Sequence, residues 1–158
     1  MAPPAWDGGP AGWSGLLTPK SRVADVLTAA LVGLFGIAGA LLRFGIDSWF
    51  AHHSSRRSVR TAKGRQTLHW PWATLVVNVV GCFIIGLSHG AAAQLGLTAD
   101  WQTALATGLA GGLTTFSSWT TATVRLLSEA RFMAAALNIA GNLVLGFCAA
   151  AAGVALAS

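Results

Sequence analysis

The sequence predicts an all-α membrane protein of four transmembrane helices, the third of them interrupted. Three observations lead there. Of 158 residues, 54% are hydrophobic and only 9% charged, with a mean hydropathy of +0.61, whereas a soluble domain carries roughly 25% charged residues. Four apolar stretches are each long enough to cross a bilayer, which takes about 20 helical residues. Inside the third, the run Gly111-Gly112-Leu113-Thr114-Thr115-Phe116 is a poor helix interior, since each glycine costs about 1 kcal/mol relative to alanine. Membrane strands are excluded because the runs are too long and do not alternate apolar with polar residues.

Residues 1–25 are rich in Pro, Gly and Trp and are expected to form a disordered or interface-lying tail. A cleaved signal peptide fits poorly, because the apolar stretch that follows is long and no convincing cleavage site precedes it. The spans of the four-helix transmembrane domain 26–156 are expected at 26–44, 71–93, 102–126 and 132–156. Cys82 and Cys148 fall inside apolar spans and read as small packing residues. Gly33, Gly36 and Gly39, Gly81, Gly86 and Gly90, and Gly141 and Gly146 place small residues along the first, second and fourth spans, where helices can approach closely.

The loops set the orientation. The stretch between the first two spans holds Arg56, Arg57, Arg60, Lys63 and Arg65, and the third loop, a tight turn at Glu129 and Arg131, adds one more base. The opposite side carries only Lys20 and Arg22. The positive-inside rule then puts loops one and three in the cytoplasm and both termini outside, in a multi-pass membrane protein. Trp49, Trp70, Trp72 and Trp101 sit at span ends, as an interfacial aromatic belt does. The net charge of +5 is explained by these basic flanks and needs no nucleic-acid partner.

All five acids, Asp7, Asp25, Asp47, Asp100 and Glu129, lie in tails, loops or span ends. Proton-coupled pumps and cation pores use an intramembrane carboxylate, so both are disfavoured. His52, His53, His69 and His89 fall in the basic loop or at span ends and read as interfacial residues. The polar groups left at mid-depth are neutral. Asn78 lies in the second span, and Asn138 and Asn142 stand one turn apart on one face of the fourth. Thr114, Thr115, Ser117, Ser118, Thr120, Thr121 and Thr123 crowd the third. Amide and hydroxyl donors in a line can replace water around a small anion without a fixed charge, though interhelical hydrogen bonding explains the same residues equally well. A broken helix frees backbone carbonyls, which transporters use to bind Na+. Phe116 and Trp119 fall three apart, on one face beyond the break, and ring edges are the positive part of the aromatic quadrupole.

These residues resemble the Fluc (CrcB) fluoride channel family across roughly residues 33 to 146. Gly39-Ala40-Leu41-Leu42-Arg43-Phe44 is similar to the end of that family's first helix, and Thr74-Leu75-Val76-Val77-Asn78-Val79-Val80-Gly81 to its second-helix signature. Gly111-Gly112-Leu113-Thr114-Thr115-Phe116-Ser117-Ser118 is similar to its third-helix motif. The resemblance implies a non-enzymatic, antiparallel dimer with two fluoride pores and a central structural Na+ that is not transported. It implies Na+-binding carbonyls at Gly111 and Thr114, and a pore lined by Asn78, Phe116, Trp119, Thr115, Ser117, Asn138 and Asn142. Arg43 would stand at a vestibule. Trp119 takes the place of the family's second phenylalanine, and Ala122 that of a usual glutamate.

The basic residues are too unevenly shared for a chain that pairs with its own inverted copy. Pairing with an oppositely oriented homologue is therefore favoured over self-pairing. The expected function is passive fluoride export across the plasma membrane, with a non-conducting or half-functional partner subunit of a heterodimeric channel as the alternative. A small multidrug exporter would need an acid in the first span, and 26–44 has none. An intramembrane enzyme would need a Ser/His or acid pair at matching depth.

Overall fold

The computed structural model describes residues 19–60, 70–96 and 98–157, and every element among them is helical. Helix α1 runs Pro19–Arg60, α2 Trp72–Leu95, and α3 Ala99–Thr103. The chain then winds as a π-helix over Ala104–Ala110 and returns to α geometry in the short α4, Gly111–Leu113. Helices α5, Phe116–Ser128, and α6, Phe132–Leu156, complete the chain.

Helix α1 is longer than expected at both ends. Seven residues assigned to the tail, 19–25, are helical, because proline at the first helical position loses no intrahelical bond and already has the right φ. At the other end the helix runs past Phe44, through Arg60, into the stretch expected as loop one. No proline interrupts residues 45–60, the single Gly45 costs only about 1 kcal/mol, and the ring contacts of Trp49 with Phe50 and His53 brace that stretch. The expected tail up to residue 18, together with Lys63, Arg65 and His69, lies outside the described residues, as do the side chains of Lys20, Arg22, Arg56, Arg57 and Arg60.

Among the described residues, three helical segments are long and apolar enough to cross a membrane: Val23–His53, Trp72–Ala92 and Phe132–Leu156. The expected third span, 102–126, is not one helix. The helical run ends at Leu113, Thr114 and Thr115 take extended backbone (ψ 156° and 114°), and helix resumes at Phe116. The two glycines are not where the chain leaves the helix, since Gly111 keeps φ −64° and ψ −39°. Gly112 serves a different purpose. A Cβ there would overlap the carbonyl of Gly36, and one on Gly39 would overlap the Leu109 carbonyl. Both glycines are needed for α1 to seat against α4 and the π-wound segment.

This crossing is what holds α1, which makes few contacts with α2. Helices α2 and α6 form the other half of the packing and run together over most of their length. Helix α5 leans on α6. The two halves of the third pass therefore belong to different neighbours, with Thr114 and Thr115 between them. The turn from α5 to α6 is tight: Ala130 takes φ 55°, and the amides of Glu129, Ala130 and Arg131 return to the carbonyls of Arg125, Leu127 and Leu126. Cys82 and Cys148 are both free thiols.

Candidate functional site

The extended pair Thr114–Thr115 leaves backbone groups without helical partners, and the neighbouring helices supply them. The Thr115 amide, which would otherwise close a turn on the Gly111 carbonyl, donates to Asn78 Oδ1 at 2.9 Å. Asn78 Nδ2 donates to Asn142 Oδ1 at 2.9 Å and reaches the Thr115 carbonyl at 3.4 Å. Thr115 caps α5, its hydroxyl accepting from the Ser118 amide at 3.2 Å, the usual way to satisfy a first-turn N–H. The same hydroxyl lies 3.2 Å from the hydroxyls of both Ser117 and Ser118. On the opposite side of the strand-like pair, Arg43 Nη1 stands 3.5 Å from the Thr114 carbonyl. Gly81 makes room here, since a Cβ on it would overlap the Thr114 methyl.

The polar chain continues down α6. Asn142 Nδ2 donates to the Asn138 carbonyl at 2.9 Å, and Asn138 Nδ2 to the Thr123 hydroxyl at 2.9 Å. Thr123 in turn donates to the Trp119 carbonyl, and the Trp119 indole N–H donates to the Asn138 carbonyl at 3.3 Å. Asn138 is buried to 1% exposure and fully engaged. It braces the site from behind.

A groove of about 290 Å³ opens beside this network, and among the described residues no charged one lines it. Asn78, Asn142, Thr114 and Thr115 form its polar wall, and Phe116 and Trp119 its aromatic wall, with centroids 5.4 Å apart and planes at 61°. Phe116 is 73% exposed, so the groove is open on that flank. Of the expected pore residues, Asn78, Thr115, Phe116, Trp119 and Asn142 are brought together, with Thr114, expected for Na+, among them. Ser117 and Asn138 are not on the groove wall: the α5 helix turns Ser117 toward a second cavity, and Asn138 faces Thr123. Cys82, Ile85 and Leu143 line the groove without having been expected. Helical spacing pointed to two of them, since Cys82 and Ile85 lie four and seven residues beyond Asn78 and share its face.

The second cavity, of about 360 Å³, is bounded by Pro71 at the head of α2, by Ser117, Ser118, Thr121, Ala122 and Arg125 along α5, and by Glu129. Thr115 sits between the two cavities, in hydrogen-bond reach of both serines. Glu129 pairs with Arg125 at 2.9 Å and Arg131 at 3.3 Å. Hydrogen bonds from Arg125, then from Arg131, hold its carboxyl below the usual carboxylate range.

Among known proteins, the chain matches the family described as "CrcB-like protein, Camphor Resistance (CrcB)" over residues 30–154. A protein of Renibacterium salmoninarum named "Fluoride-specific ion channel FluC" is 51% identical over 127 residues, 80% of this chain and 96% of its own. Proteins of the same name from Thermus thermophilus and Oceanobacillus iheyensis are 36% and 33% identical. These alignments cover 80% of this chain in both cases, and 90% and 88% of the respective relatives.

Proposed function

This chain belongs to the CrcB-like protein family, and we propose that it is a subunit of a fluoride-specific channel that lets the ion leave the cell passively. A multi-pass membrane protein of a channel family is no enzyme, and its chemistry is solvation. The observation that carries the reading is the groove: amide and hydroxyl groups on one wall, ring edges on the other, and no charged residue among the described ones lining it. Fluoride binds water strongly, so a path for it must offer donors in place of the shell it sheds. Asn78 has one N–H committed to Asn142 and a second in a long 3.4 Å contact. That second N–H is the donor a passing fluoride takes. The edges of Phe116 and Trp119 present positive charge to the other side of the ion. Without a carboxylate in the groove, transport needs no proton, and the electrochemical gradient drives it outward.

The functional unit is an antiparallel dimer. Phe116 is exposed and a Cβ added at Gly111 would meet nothing within 4 Å, and both are flanks a second subunit would cover. The excess of Lys and Arg on one side favours an oppositely oriented homologue as that subunit, with loops one and three in the cytoplasm. A structural Na+ fits the end of α4. Its ligands would be oxygens, which suit a hard cation, and a helix C-terminal end carries partial negative charge. Gly111 and Thr114 would hold it by their carbonyls. The ion would supply fixed positive charge where two breaks meet.

One feature favours the reading as a half-functional partner. The indole of Trp119 is tied to the Asn138 carbonyl and held in the groove, where it leaves less room than a phenyl ring. Liposomes loaded with fluoride and carrying the purified chain alone are expected to leak fluoride slowly, and Trp119→Phe to speed that leak by about tenfold. Robust efflux by the parent chain alone would overturn the need for a partner. A Trp119→Phe variant no faster than its parent would show that the indole does not obstruct.

A further inference from the structure

The last turn of α5 and its connection to α6 carry three charged side chains that the groove does not use. Arg125 and Glu129 bound the second cavity, and Arg131 is joined to them through Glu129. Resting on the fluoride reading above, we propose that this cavity is an anion-collecting mouth for the Asn78 groove, and that Glu129 sets its strength as the counter-ion of Arg125 and Arg131.

The geometry gives each part a place. Ser117, Thr121 and Arg125 follow one another at four-residue spacing along α5, so hydroxyl, hydroxyl and guanidinium line one stripe facing the cavity. At the inner end of that stripe, the Ser117 and Ser118 hydroxyls touch Thr115, and Thr115 belongs to the groove wall. A small anion drawn to Arg125 would therefore meet the hydroxyls of Thr121, Ser117 and Ser118 on its way to Thr115 and the groove wall. Arg125 is well placed to attract, its side chain being 69% exposed. Two guanidiniums sharing one carboxylate leave a net charge of +1 at the mouth. That is enough to concentrate anions and too little to trap them, since conduction requires an ion to leave as readily as it arrives.

Among the described residues, Arg125 on α5 and Arg131 at the head of α6 are the charged groups facing Glu129, and α2 presents Pro71 to the cavity. Because those two hydrogen-bonded partners lower the proton affinity of Glu129, its charge persists through the neutral range. It would be lost only as pH falls through and below the usual carboxylate range. Glu129 is thus a fixed counter-charge, not a sensor of physiological pH.

The test compares parent, Glu129→Gln and Arg125→Gln chains in liposomes, reading the initial fluoride efflux. It is run at about 10 mM and about 1 M salt of an impermeant anion, where the Debye length is about 30 Å and about 3 Å. At low salt Glu129→Gln should run about two- to threefold faster than the parent and Arg125→Gln slower by a similar factor, the scale of one charge acting across roughly 8 Å of water. At high salt both ratios should approach one, whereas a purely structural role would leave them unchanged. Equal rates for all three chains at low salt, or changes of the same size at both salts, would overturn the inference while leaving the channel reading standing. A parent chain that moves no fluoride, even when reconstituted with an oppositely oriented family member, would overturn both.

Discussion

Replacing Asn78 with aspartate is expected to cut fluoride efflux about 100-fold or more. The substitution hardly changes side-chain volume, so packing is not the cause. It removes the amide donor that reaches Asn142 Oδ1 and the Thr115 carbonyl, and it sets a carboxylate against the two oxygens that this donor served. The Thr115 amide keeps an acceptor, so the capped start of α5 survives. The permeating ion suffers most. At about 5 Å and an effective dielectric near 20, a carboxylate repels fluoride by about 3 kcal/mol, roughly a 200-fold factor in occupancy. Efflux from liposomes measures this directly, with circular dichroism to confirm that the variant is folded. Undiminished flux would remove Asn78 from the path.

The second large effect is on folding. Gly112→Ala is expected to cost about 3 kcal/mol, at the upper end of what overpacking usually costs. The added methyl meets the backbone carbonyl of Gly36, which has no rotamer to move aside. Since α1 is held mainly by the π-wound segment and α4, a methyl at this point pushes the whole helix away. Thermal unfolding and gel filtration in detergent read the loss. Gly111→Ala is the control, one residue away: nothing lies within 4 Å of its added methyl and its backbone is already helical. The isolated fold should tolerate it, with a gain in helix propensity of up to about 1 kcal/mol. Equal damage from both variants would show that the crossing with α1 is not what Gly112 serves.

The contrast between these two glycines shows what was legible in the sequence. The helical class and the apolar spans follow from composition and run length, because lipid demands internal backbone hydrogen bonding. That Gly111–Gly112 is unusual was also visible, but not why. Propensity assigns both glycines the role of helix breaker, whereas the extended residues are Thr114 and Thr115, and Gly112 is dictated by a carbonyl some 76 positions earlier in the chain. A contact so distant leaves no local signal. The end of α1 was misjudged for the opposite reason: charge and polarity suggested a loop, yet a helix needs no apolar face once it leaves the membrane. Asn78 and Asn142 were recognised as polar groups in an apolar setting. That Asn138 faces Thr123 and not the groove depended on the rotation of α6 against α5, which spacing along one helix does not fix.

The most direct test of the account is a competition between two anions. Liposomes bearing the chain, alone and mixed with an oppositely oriented member of the family, are loaded with equal fluoride and chloride. A potassium ionophore carries the counter-current, and ion-selective electrodes follow both anions. A groove that replaces the water shell with neutral side-chain donors, fitted to a small ion, should release fluoride and retain chloride in at least one of the two preparations. Release of both anions at similar rates, or retention of both in each preparation, would contradict it.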